Sequence, residues 1–198
     1  MGNNVMGAGR LQVKELMSPG GTTAMTIDDD GNITNNSGNI ISTNTGLINF
    51  KMYLTSNFSL TQGAWKTLPI NTTANSSGGQ TGWNFGSAWD TTNYRFFPQK
   101  AGYYHIGGQA TLADTNASYI LLSVLLNGYG DAGSGTELAI YTGVEAGDAS
   151  SWHYAFGSSV HYLSATDFIS FRVYQNDSGA NNVAGSASYT QAWGYQIA

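Results

Sequence analysis

The chain has 198 residues and a formal net charge of −5, with seven Lys plus Arg against 12 Asp plus Glu, three His and no Cys. The acidic balance and scattered basic residues argue against a nucleic-acid or anionic-membrane partner, and the missing Cys excludes disulfides, thiolate-zinc sites and thiol catalysis. Hydrophobic residues make up 41% and aromatics 13%, enough for a folded core, while charged residues are only 10% against roughly 25% in ordinary soluble domains, so the surface is polar chiefly through Asn, Ser, Thr, Gly and Gln.

Residues 1–46 contain no aromatic residue, whereas the remainder is dense with them. That shift divides the chain into an extended N-terminal arm or attachment segment, 1–46, and one domain, 47–198. Within the arm, Asp30-Gly31 between Met25, Ile27 and Ile33 is a hairpin signal. The echo of Gly31-Asn32-Ile33 in Gly38-Asn39-Ile40 points to a short repeated β element, too small to fold alone unless several copies wind together. Asp28, Asp30 and Asn32 imitate the start of a calcium loop, but the required Gly and distal Glu are missing at their places. The first residues, Met1-Gly2-Asn3-Asn4-Val5, do not read as a secretion signal, and no apolar run is long enough for a membrane helix.

From Leu47 the pattern is all-β. Strands are expected over 47–55, 64–71, 83–97, 102–112, 119–127, 137–142, 151–163, 167–175 and 188–197, separated by Gly, Asn, Ser and Asp clusters. With almost no Pro and no helical period, such regular short strands argue for a sandwich or jelly roll. In the stretch Asn84 to Ile106, Pro98 and Gly102 make a corner, and Phe96 and Tyr104 flank it so that two successive strands send aromatics into one core.

The spacing of Asn84, Trp89, Phe96, Gly102 and Tyr104 resembles that of the globular heads of complement component 1q, close relatives of the tumour necrosis factor fold. Gly78, Ile106 and Gly108 depart from that pattern, standing where it carries aromatics. Tyr119 to Gly128 resembles the family's central strand with its Asn-Gly turn, Leu163 to Ile169 the loop entering the next central strand, and Tyr189 to Ile197 the terminal strand. The resemblance covers about 47–198 and implies a jelly-roll sandwich assembled as a homotrimer. Trp89 and Trp193 match positions of core or interface, and Phe96, Tyr104, Leu122 and Phe171 are expected beside them.

The central strand bears separately on assembly. Ile120, Leu121, Leu122, Val124, Leu125 and Leu126 place apolar residues on both faces, and Phe168, Ile169, Phe171, Val173 and Tyr174 do so on another strand. One face can enter the sandwich; the other is expected to be covered by self-association.

Catalytic motifs are lacking. Gly128, Gly130 and Gly133 match a dinucleotide pattern, but a strand-like run follows instead of a helix, which leaves nothing to hold a pyrophosphate. His105, His153 and His161 show no metal-ligand spacing, and no Gly-x-Ser-x-Gly elbow occurs. Asp114, Asp131, Glu137, Glu145, Asp148 and Asp167 offer no reason to pair any two across a glycosidic bond. No catalytic residue, metal or cofactor is therefore assigned. Trp83 and Trp152, beside Gly- and Ser-rich loops, and the loop carboxylates Asp131 and Asp148 are the candidates for holding a sugar.

Composition, the absence of an export signal and the fibre-like arm together favour a bacteriophage virion protein made in the host cytoplasm. The expected role is a trimeric tail-fibre head that binds a host surface glycan or receptor, with the arm contacting other virion proteins. The alternatives are a capsid decoration protein and, further off, a glycan hydrolase.

Overall fold

Short antiparallel strands fill the computed structural model, which describes residues 6–7, 10–11, 15–17, 23–27, 33–35, 40–42, 48–74, 81–112, 119–129, 134–144, 152–176 and 181–197. By its internal contacts the chain divides into two units, Met1–Leu47 and Ile48–Ala198. In the first, β1 (Met6–Gly7) pairs with β2 (Arg10–Leu11). The strands β3 (Glu15–Met17), β4 (Thr23–Ile27), β5 (Ile33–Asn35) and β6 (Ile40–Ser42) form a meander in that order. Ile27 stands opposite Ile33, as the Asp-Gly signal requires, although Asp28, Asp30 and Asn32 themselves lie outside the described residues.

The second unit is a sandwich. Its strands are β7 (Asn49–Tyr53), β8 (Phe58–Leu60), β9 (Lys66–Thr67), β10 (Trp83–Phe85), β11 (Trp89–Asp90), β12 (Arg95–Phe96) and β13 (Gly102–Leu112). They continue as β14 (Tyr119–Leu126), β15 (Thr136–Val144), β16 (His153–Leu163), β17 (Ile169–Gln175), β18 (Asn181–Val183) and β19 (Gln191–Gln196). Sheet one runs β10-β7-β19-β13-β16, with β18 and β8 continuing from the end of β13. Sheet two runs β11-β12-β17-β14-β15, with β9 on the end of β17. All these pairings are antiparallel, and the chain crosses repeatedly between the sheets, from β12 to β13 to β14 and from β15 to β16 to β17 to β18, which is the jelly-roll pattern.

The expected strand over 83–97 is instead three short pieces. Gly86 and Ser87, at φ 71° and 51°, reverse the chain after β10, and Tyr94 at φ 56° reverses it again before β12. Asn84 closes the first reversal as a strand neighbour would: its Oδ1 accepts the Trp89 amide at 2.8 Å and its Nδ2 donates to the Trp89 carbonyl at 3.0 Å. Asp90 ties the second, accepting from Thr92 and Asn93; hydrogen bonds from Asn93 above all hold its carboxyl down to about 2.

Phe50 is the hub of the core. Its ring lies 4.8 Å from Trp89 and 4.7 Å from Phe96, which in turn meets Tyr104 at 5.6 Å. Trp89 is also 6.1 Å from Phe171 and donates its indole N–H to the Ile70 carbonyl. The corner between Phe96 and Tyr104 thus delivers both rings to one core, and the Tyr104 hydroxyl bonds back to the Pro98 and Lys100 carbonyls. Leu122 and Phe171 are fully buried in the same cluster.

The expected apolar overhang on β14 and β17 is absent, because the chain covers it. Arg172 reaches across β14, donating to Ser123 and, at 3.2 Å, to Glu137 on β15, while its guanidinium lies 4.1 Å from the Trp65 ring. Trp65, Tyr174 and Tyr119 stack beside it. Arg95 lies over the rings of Phe97 and Phe168 and bonds the Tyr129 hydroxyl. Leu125, on the outward side of β14, is only 1% exposed.

Replacing Asn84 with Ala removes both bonds to the Trp89 backbone in a part-buried turn. The expected loss is about 2 kcal/mol, read as a lower urea midpoint at unchanged slope. An unmoved midpoint would mean that the turn is held by other contacts.

Candidate functional site

The outer face of sheet one is built unlike the outer face of sheet two. In the middle of β16 the inward residues are small, Ala155, Gly157 and Ser159, between His153 and His161, and the outward ones are Tyr154, Phe156, Ser158, Val160 and Tyr162. A strand with one wet face ordinarily does the reverse. The inward residues are small because Tyr141 of β15 lies against them: a Cβ on Gly157 would stand 2.2 Å from its ring. The Tyr141 hydroxyl meets Ser159 Oγ at 2.8 Å, and that Oγ meets His161 Nε2 at 2.6 Å. Burial raises the Tyr141 pKa and lowers that of His161.

Register arranges the outward residues in rows. Trp83, Lys51, Trp193, Gly107 and Ser158 form one, each opposite the next. Phe85, Asn49, Tyr195, His105 and Val160 form the next, and Tyr53, Gln191, Gln109 and Phe156 lie on the other side. Tyr103 and Tyr162 pair at the end of the sheet with rings 5.4 Å apart. Phe156 is 70% exposed, Tyr162 59% and Val160 53%. Lys51 is the only Asp, Glu, Lys or Arg at an outward position of β10, β7, β19, β13 and β16. A contiguous apolar face of this kind marks an interaction surface.

Trp193 lies on this face, outside the core, and a glycine makes room for it. A Cβ on Gly107 would stand 2.6 Å from the indole and 2.7 Å from Ser158 Cβ, so the ring lies flat over the β13 backbone. Trp83 stands exposed on the edge strand β10, on the same face. Trp152 sits at the start of β16, stacked on Tyr189 with ring centres 4.4 Å apart, and is not among the residues lining the groove beside Trp83. Asp131 and Asp148 lie outside the described residues. Trp89, Phe96, Tyr104, Leu122 and Phe171 are core residues.

The three histidines do not gather within one chain. His105 faces outward, bonded to Ser158 Oγ at 2.9 Å, whereas His161, opposite Tyr104, faces inward, and His153 is buried at the start of β16. Among the described residues no three His, Asp or Glu side chains converge as a metal site would require. Glu137 and Asp167 are engaged in the fold: Glu137 with Arg172 and Ser123, Asp167 with Asn127 and the Ser164 amide.

No family model and no curated protein matches the sequence. Solved structures do match its fold. Eiger TNF from S. frugiperda superposes with a TM-score of 0.55 at 10% identity, over 77% of this chain and 93% of that one. Murine APRIL at pH 8.0 gives 0.54 at 12% identity, over 77% and 100%, and at pH 8.5 it gives 0.51 at 11%, over 75% and 99%. The unit from Ile48 onward therefore has the jelly-roll fold of the tumour necrosis factor group, as the complement component 1q resemblance implied.

Gly107→Ala would lift Trp193 from the sheet. More solvent-exposed tryptophan emission is expected, with no such change when the same substitution is made in a Trp193→Phe background. Unaltered emission in both would mean that the indole does not rest on Gly107.

Proposed function

We propose that this chain is a bacteriophage virion protein whose sandwich assembles as a homotrimer and binds a host surface glycan as a tail-fibre head. The observation that carries the assembly is the inverted strand β16, with Phe156, Val160 and Tyr162 outward over small inward residues. Those side chains, with Tyr103, need cover, and a second and third copy of the same face supply it. Threefold closure is what the complement component 1q resemblance implies. The virion reading is supported by the sparse charge, the absence of Cys and the N-terminal unit, a distinct compact unit that suits attachment to other virion proteins.

Capsid decoration is the second reading, favoured by that same unit, since a decoration protein would use it to hold its capsid site. Antibody against residues 48–198, applied to phage particles from the source culture, separates the two. Label at the tail tips is the expected result. Label over the capsid would replace recognition with decoration, and the absence of label from any particle would overturn the virion reading.

The assembly has its own check. The full chain is expected to sediment at three times its 21.0 kDa at micromolar concentration. Phe156→Asp combined with Val160→Asp is expected to give single copies with an unchanged β spectrum. A single-copy mass for the unaltered chain would sink the trimer.

A further inference from the structure

The far side of the aromatic face holds a groove. It is bounded by Trp83, Lys51, Asn49, Gln191, Trp193 and Tyr195, with a volume of about 540 Å³. That lies within the roughly 300–1,000 Å³ of small-ligand sites. Its form follows from register: Trp83 and Trp193 stand on either side of Lys51 in one row, and Trp193 leans away over Gly107, which leaves the space above β7 open. Strands β7 and β16 are three strands apart, about 14 Å. Self-association through the β16 and β13 side therefore leaves the groove at the margin of the contact.

Two observations point to what fills it. Lys51, the one charge on the face, has its ammonium 5.9 Å from the Tyr53 ring centre, and no carboxylate among the described residues pairs with it. Trp83, 38% exposed, stands at the edge of the same space with its ring open to it. An exposed indole and one cation are the groups that recognise a sugar bearing one acid: C–H bonds of the ring stack on Trp83 and the carboxylate meets Lys51. A phosphate monoester, carrying close to two charges, would need a second cation that the groove does not have.

We propose that this groove binds a carboxylated pyranose, of the uronic or sialic acid class, through Lys51 and Trp83. The inference rests on the glycan-binding reading above and names the class of sugar and the site. The host-recognition reading itself is tested by antibody labelling, which involves no sugar, so the two can fail separately.

The test uses the full chain, with calorimetry and tryptophan emission as readouts. The probes are oligosaccharides of galacturonate, glucuronate and N-acetylneuraminate, their neutral methyl esters, and inorganic phosphate. At least one acid is expected to bind, with its ester at least tenfold weaker. Lys51→Met is expected to weaken the acid at least tenfold and leave the ester unchanged. Trp83→Ala is expected to weaken both about tenfold, with an unchanged β spectrum. Failure of all three acids to bind, equal affinity for acid and ester, no effect of Lys51→Met, or displacement of the acid by millimolar phosphate would each overturn the proposal.

Discussion

Two sheets have four faces, and only two of them can meet in a core. In this sandwich those two are joined through Phe50, whose ring reaches Trp89 and Phe96 from the opposite sheet. The approach depends on Gly194 of the neighbouring strand, where a Cβ would stand 2.7 Å from the Phe50 ring. Everything else about the surface follows from how the chain treats its two remaining faces. It covers one of them and leaves the other bare.

The covered face belongs to sheet two. Arg172 and Arg95 do most of the covering, each lying over aromatic rings while its charge finds Glu137 or Asp90. Such planar cations stack on rings and hydrogen-bond in the same pose, so one side chain both shields apolar surface and stays solvated at its edge. On sheet one the corresponding positions carry Tyr, Trp, Phe and Val, and the one cation there, Lys51, has no carboxylate paired with it among the described residues. A chain with only seven basic residues has few guanidiniums for this purpose. Both arginines of the sandwich unit, Arg95 and Arg172, lie on sheet two.

This asymmetry also explains what the sequence discloses and what it hides. The all-β class and the core aromatics were legible, because Asn84, Trp89, Phe96, Gly102 and Tyr104 act on one another over short spans around two turns and a corner. The strand expected across 83–97 was misread because alternating aromatics look alike in one strand or three; the reversals rest on Ser87 and Tyr94 at positive φ, which side-chain type does not announce. The doubled apolar pattern of β14 suggested an exposed patch because its cover comes from Arg172, 49 residues beyond Ser123. The truly bare face was visible, had alternation been read for size as well as polarity: Tyr154, Phe156, Val160 and Tyr162 alternate with Ala155, Gly157, Ser159 and His161.

The doublet Gly107-Gly108 shows how closely core and surface are linked. Successive residues of a strand face opposite ways, and here both faces need the missing side chain. Gly108 lets Phe171 and Leu122 come within 3.1 and 3.2 Å of where a Cβ would be, which draws sheet two onto β13. Gly107 lets Trp193 lie flat on the other side. In the complement component 1q pattern the second of these positions carries an aromatic; here the aromatic volume comes instead from Phe171 below and, through the first glycine, from Trp193 above. Because Trp193 lies over β13, the strip above β7 is left to Lys51 and Trp83. The groove is thus a consequence of the same packing that closes the core, and a larger residue at Gly107 would disturb it by displacing Trp193, which forms one of its walls.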